Sequence, residues 1–141
     1  MGEATGLTAA EFTALLQREL PGSHHWGLVI EAMAPGTCRV RLPADPKHHR
    51  PGGSVSGPAM MAVTDTAIFG AVLSRIGPEV MAVTADLSIR FLRRPPLELD
   101  LRGEATLLKL GRRLAVAEVR LWSGDDAARP VAHATGTYAL P

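Results

Sequence analysis

The stretch "GSVSGPAMMAVTDTA", residues 53–67, joins a glycine- and serine-rich approach to a nearly apolar run that begins at Pro58 and holds one carboxylate, Asp65. Proline is tolerated in the first helical turn, where its missing N–H would have no intrahelical partner. The run therefore predicts a helix from Pro58 to about Ile76, stopped by Gly77-Pro78. Met60, Met61, Val63, Ala67, Ile68, Phe69, Val72 and Leu73 fall all round such a helix rather than along one stripe. That distribution belongs to a helix wrapped by other structure. Asp65 is the only charged residue between Pro58 and Ser74, so no partner three or four residues away offsets its burial. Unpaired buried charge marks functional sites, which makes Asp65 the leading candidate. Thr64 and Thr66 are its candidate hydrogen-bonding neighbours.

Upstream, Thr8 and Glu11 have the spacing of a capping box, and Phe12, Leu15, Leu16 and Leu20 form a stripe that ends at Pro21-Gly22. This predicts a peripheral amphipathic helix, with residues 1–24 outside the main body. Two extended runs, about Leu28 to Met33 and Thr37 to Leu42, flank the turn signal Pro35-Gly36 and read as a hairpin. Residues 43–57 carry three prolines and three glycines without periodicity, which predicts a long loop. Downstream, Val83, Ala85, Leu87, Ile89 and Phe91 alternate with Thr84, Asp86, Ser88 and Arg90 at strand period, so Thr84 and Asp86 should share a face. Runs near Leu97 to Leu108, Leu114 to Trp122 and Pro130 to Tyr138 follow, separated by turns at Gly111 and Gly124, and predict a meander. The layout is α+β: an antiparallel sheet of five to six strands curled around one helix.

At 141 residues and 46% hydrophobic content the chain suits a single domain spanning residues 1–141. A formal charge of +1 gives no global field for nucleic acid or a membrane surface. Cys38 is the only cysteine, the N-terminal residues lack a signal-peptide pattern, and no uninterrupted apolar run approaches the ~20 residues of a membrane span. A soluble, cytoplasmic protein is expected. The pairs His24-His25 and His48-His49 lack the spaced ligand set of a metal site, and no metal is expected. Residues 53–57 mimic a Gly-x-Ser-x-Gly elbow only superficially, because Val55 stands at the nucleophile position.

The element order, the Gly-x-x-x-Gly loop entering the helix, Asp65 eight positions after Gly57, and "AVTADLSIRFLRRP" on the next strand together resemble the hotdog-fold acyl-CoA thioesterases of the PaaI-like branch. The resemblance runs from about residue 25 to the C-terminus. It implies hydrolysis of an acyl-coenzyme A thioester in a site between two subunits, with coenzyme A present only as part of the substrate. A homodimer is then the minimum, and relatives pair dimers into tetramers. Backbone N–H groups at a helix N-terminus polarise a carbonyl without a charged side chain, and the Gly57 N–H is the natural donor because Pro58 has none. Asp65 would act as general base or as nucleophile. Thr84 corresponds to a Ser/Thr that holds the attacking water in some relatives; alternatively it is an outward-facing β-branched residue.

Where many members have His-Gly-Gly before the helix, this chain has Ser56-Gly57-Pro58, and Arg50 stands where Asn is common. Orientation would then fall to Ser56 or Arg50. For the phosphates of coenzyme A, two clusters qualify: Arg90, Arg93 and Arg94, and Lys109, Arg112 and Arg113, the second resembling the family's coenzyme-binding turn. Met60 and Met61 would pack the core or line the acyl pocket. Two other readings are a non-hydrolytic thioester-binding protein and a dehydratase or hydratase; the second lacks an Asp-x-Asn-Pro-x-His type motif.

Overall fold

The computed structural model describes residues 6–20 and 26–141. The His24-His25 pair falls outside them. Helix α1, Ala9–Glu19, opens with the expected capping box: the Glu11 N–H donates to the Thr8 hydroxyl at 3.1 Å, and the Thr8 N–H donates to Glu11 Oε1 at 2.9 Å. Two otherwise orphaned donors are thereby satisfied. Phe12, Leu15 and Leu16 are buried, and the helix contacts the first strand.

Strands β1 (Val29–Ala34) and β2 (Thr37–Leu42) form the hairpin turned at Gly36. The segment expected to be an irregular loop carries local order. A short 3-10 turn at Pro46–His48 leads into a two-residue hairpin, β3 (His49–Arg50) and β4 (Ser54–Val55). Gly52 and Gly53 close it at φ values of 100° and 85°, which side chains other than glycine rarely tolerate.

Helix α2, Gly57–Ile76, starts one residue before the predicted start and ends at Gly77. By length and composition it is the one helix among the described residues that could cross a bilayer, although no such run was expected. The sheet accounts for its apolarity instead. Residues Ala67 to Ser74 are buried without interruption, and α2 packs on every strand of the main sheet. Its N-terminal half is less enclosed: Pro58 and Met61 are exposed, and Ala62, Asp65 and Thr66 are half-buried, one to two turns apart on one side.

Strands β5 (Val83–Phe91), β6 (Leu101–Leu110), β7 (Leu114–Ser123) and β8 (Ala132–Ala139) complete a six-stranded antiparallel sheet in the order β1-β2-β6-β7-β8-β5. The meander is β6-β7-β8, and β5 lies at an edge beside β8. Strand β6 begins four residues later than predicted, after a turn in which Asp100 accepts from the Ala44 N–H at 2.9 Å and from Arg41 at 3.1 Å. This is the hotdog thioesterase fold, a curled sheet around one long helix with an added N-terminal helix.

Strand β5 departs from simple alternation. Thr84 pairs with Tyr138 and Asp86 with Thr137, so Ala85 is an extra residue, a β-bulge. The bulge reverses the side-chain phase. Thr84 lies on the helix side with Tyr138, and so do Leu87, Ile89 and Phe91 beyond it, whereas Asp86 points outward. Thr84 and Asp86 therefore do not share a face, and the outward reading of Thr84 is overturned.

Candidate active site

Asp65 faces the sheet from the exposed side of α2, and two hydroxyls from different strands converge on one of its oxygens. Thr84 Oγ1 donates to Asp65 Oδ1 at 2.7 Å, and the Tyr138 hydroxyl donates to the same atom at 2.8 Å. Asp65 Oδ2 accepts no hydrogen bond among the described residues, which leaves it available to a water or a carbonyl carbon. Burial first, and then the adjacent Asp65 carboxylate, pushes the Tyr138 phenol above its ordinary range, so it stays a neutral donor. Its ring stacks on Phe69 at a centroid separation of 5.7 Å, which fixes the hydroxyl's direction.

Thr64 and Thr66 were the expected neighbours of the carboxylate. Thr64 instead donates to the Met60 carbonyl at 2.9 Å, as a buried helical threonine commonly does. Thr66 lines a cavity of about 770 Å³ that opens at Asp65. Leu16 and Leu20 from the α1 side, Trp26, Phe69 and Val83 give this cavity a largely apolar wall. Its volume falls in the range of small-molecule sites.

The Gly57 end of α2 is different. Ser56 caps the helix, its hydroxyl accepting from the Ala59 N–H at 3.2 Å and its carbonyl from the Met60 N–H at 3.1 Å. Gly57 opens the helix, where an N–H has no intrahelical carbonyl to reach, and it has no acceptor among the described residues; Pro58 beside it has no N–H at all. Gly57 lines a second cavity of about 440 Å³ with Arg50, Arg93, Arg94, Met60 and Phe91. A Cβ at Gly57 would lie 3.6 Å from the Phe91 ring, so glycine keeps the space in front of its amide open. His48 supports this corner: its carbonyl accepts from the Ser56 N–H at 2.8 Å, and its ring stacks on Trp26 at 5.7 Å. Burial and then the Lys47 charge lower the His48 pKa.

The structure thus groups Asp65 with Thr84, and Gly57 with Ser56 and Arg50. Met61 lines neither cavity. Arg112 lines a third cavity of about 500 Å³ with Ile76 and Glu79, near the opposite end of α2, and Arg113 follows it in the same turn. Sequence reasoning missed Tyr138 and Trp26. A signal existed for Tyr138: it is the chain's only tyrosine, on the inward phase of β8 after Ala134 and Gly136, and a buried phenol needs a partner.

Residues 52–129 match the family described as the thioesterase superfamily. The chain belongs to that superfamily. A crystal structure from a Silicibacter species, of a protein provisionally designated a thioesterase, is 39% identical with a TM-score of 0.87, covering 100% of this chain and 96% of that one. A Halobacterium salinarum protein provisionally designated an esterase is 32% identical over 132 residues, 88% of this chain and 86% of the relative. The phenylacetic acid degradation protein PaaI of Thermus thermophilus, in a mutant form, is 25% identical with a TM-score of 0.76, over 86% of this chain and 99% of that one. The superfamily member described here therefore combines a thioesterase fold with a hydroxyl-clamped carboxylate beside an apolar cavity.

Proposed function

We propose that this protein hydrolyses an acyl-coenzyme A thioester to the free acid and coenzyme A, in a site completed by a second copy of the chain. The observation that carries the reading is Asp65, clamped through Oδ1 by Thr84 and Tyr138 at the mouth of the apolar cavity. A carboxylate with one oxygen fixed and the other open is arranged to take a proton from water or to attack directly. As a base, Asp65 takes the water proton while the new C–O bond forms; the oxyanion is stabilised at a Gly57 N–H, and C–S cleavage releases the thiolate, which takes up a proton. As a nucleophile it forms a mixed anhydride with loss of the thiolate, and water then cleaves the anhydride.

Gly57 and Asp65 of one chain cannot act on the same carbonyl, since eight residues of helix separate them by about 12 Å. Strand β5 suggests how two copies resolve this. It is an edge strand whose outer side is unpaired, and it carries exposed apolar residues at both ends, Val83 at 53% and Phe91 at 50%. Unpaired edges invite pairing. Antiparallel pairing of two β5 strands about Leu87 would set the Phe91 end of one, beside Gly57, against the Thr84 end of the other, beside Asp65. The same two-fold would bring the half-exposed Met61 side chains together on the axis. Association into a dimer of dimers and a cytoplasmic setting belong to this reading; a single cysteine, which can form no intrachain disulfide, is consistent with the second.

The test is hydrolysis across a panel of acyl-coenzyme A thioesters, run beside Asp65→Ala. The variant should lose about 10²- to 10⁴-fold in kcat/KM, the range for a positioned acid-base group. Undiminished turnover would remove Asp65 from the chemistry. One observation favours the non-hydrolytic alternative: the Ser56 hydroxyl oxygen is engaged in the helix cap, so it is poorly placed to replace the usual histidine. Thioester binding without turnover by the parent protein would establish that alternative.

A further inference from the structure

Several arginines of this chain are matched to carboxylates. Arg39 pairs with Glu104, Arg41 with Glu31 and Asp100, and Arg102 with Glu31 and Asp125. The cavity beside Gly57 is different, because Arg50, Arg93 and Arg94 line it and no aspartate or glutamate does. Arg93 is anchored by a 2.7 Å hydrogen bond to the Pro130 carbonyl. Arg50 and Arg94 form no ion pair among the described residues. In a chain whose formal charge is only +1, three guanidinium groups around one acid-free cavity define a local anion site.

We infer that this cavity receives the phosphate-bearing arm of the thioester, with Arg50 and Arg94 as its anion contacts, while the apolar cavity beside Asp65 takes the acyl group. The inference rests on the thioesterase reading above and gives the substrate a direction within the shared site. The dimensions agree. Phe91 packs against Gly57, Arg94 lies three residues further on, and that chain segment spans at most about 10 Å before the arginine side chain adds its own reach. The pantetheine arm between a thioester sulfur and its first phosphate spans roughly 16 Å at standard bond lengths. A carbonyl at Gly57 and a phosphate at Arg94 fit one extended molecule.

The competing site, the Arg112-Arg113 turn, has less suitable electrostatics. Glu79 lines the same cavity as Arg112, and so does Ile76, the last residue of α2, where the carbonyl ends of the helix carry partial negative charge. Both features oppose a phosphate. The acyl cavity has the opposite character to the arginine-lined one, since Trp26, Phe69 and Tyr138 supply three of the chain's six aromatic residues to it. A flat or branched apolar acyl group suits such a wall better than a charged arm does.

The test compares acyl-coenzyme A with the same acyl group on pantetheine, which has no phosphate, in the parent, in Arg50→Ala/Arg94→Ala and in Arg112→Ala. The double variant should raise KM for the coenzyme A thioester about tenfold or more, as expected for lost charge-assisted contacts, and the penalty should vanish on the pantetheine thioester. Binding of coenzyme A itself, measured by calorimetry, should weaken by a similar factor and be sensitive to salt. Equal losses on both thioesters, or a phosphate-dependent loss confined to Arg112→Ala, would overturn the inference. The calorimetric arm needs no turnover, so it separates the two readings. If the parent hydrolyses neither thioester, the function above fails, and coenzyme A binding that depends on Arg50 and Arg94 still supports this assignment. Binding that is absent or indifferent to those arginines overturns it.

Discussion

The two ends of the N-terminal half of α2 belong to one helix but have opposite chemistry. At Asp65 a carboxylate receives two hydroxyls beside a cavity walled by Trp26, Phe69 and Leu20. At Gly57 an open amide faces a cavity ringed by arginines. One end can supply a base or nucleophile, and the other can stabilise an anion. A thioester needs both within a few ångströms, and a straight helix keeps them about 12 Å apart. The difference teaches what the proposed function demands: each copy would carry two half-sites, made whole where the Gly57 end of one copy meets the Asp65 end of another.

Mixing damaged copies is the sharpest way to break this comparison. Asp65→Ala and Gly57→Val should each be nearly inactive alone. Unfolded together and refolded at equal amounts, they should recover about a quarter of parental activity, because half the dimers then hold one intact site of two. No recovery, with dimers present by sedimentation, would place both groups of a working site in one copy.

The clamp on Asp65 Oδ1 predicts a smaller effect. Tyr138→Phe and Thr84→Val each delete one hydroxyl while keeping shape, and each should lower kcat by roughly tenfold, the equivalent of one lost hydrogen bond to a charged group. A steady-state comparison checks whether KM stays within a factor of about two. A KM rise with unchanged kcat would make the hydroxyls part of substrate binding instead.

Packing under the same site predicts a stability effect. A Cβ at Gly136 would lie 2.6 Å from Ile68 Cδ1, 3.2 Å from Leu87 Cδ1 and 3.3 Å from the Asp86 carbonyl oxygen. Gly136→Ala forces β8, β5 and α2 apart beneath Tyr138 and should cost about 1–3 kcal/mol in chemical denaturation.

The smallest effect concerns His48 at the Gly57 corner. Its folded-state pKa is lowered, chiefly by burial, so the unfolded chain binds the proton more readily. Stability from this group is therefore complete above the unfolded value of about 6.5 and is lost as pH falls below it. Thermal midpoints should drop between about pH 7.5 and 5.5 more steeply in the parent than in His48→Phe, which keeps a ring against Trp26.

Much of this was legible because local chemistry fixed it. The capping box at Thr8, the all-round apolarity of α2, the lone charge at Asp65 and the glycine stop at Gly77 are properties of short windows, and each element formed where its window placed it. The clamp was not legible, since Tyr138 lies 73 residues from Asp65 and the contact depends on how the sheet curls. The bulge was hidden for another reason. Ala85 fits either phase of a strand, so nothing in the residue itself marks it as extra. Likewise β3 and β4 are two residues each, too short for any period to show.

That extra alanine gives β5 two successive reading frames. Before it, even-numbered positions look at the helix; after it, odd-numbered positions do. The strand can therefore offer a polar hydroxyl to the carboxylate at one end, Leu87 and Ile89 to the core along its middle, and Phe91 to the Gly57 cavity at the other end, without placing a polar residue among its apolar ones. Pressing that bulge flat with every residue kept would exchange the wet and dry faces of half the strand, whereas deleting Ala85 would leave Thr84 inward, Asp86 outward and Leu87 inward as they are.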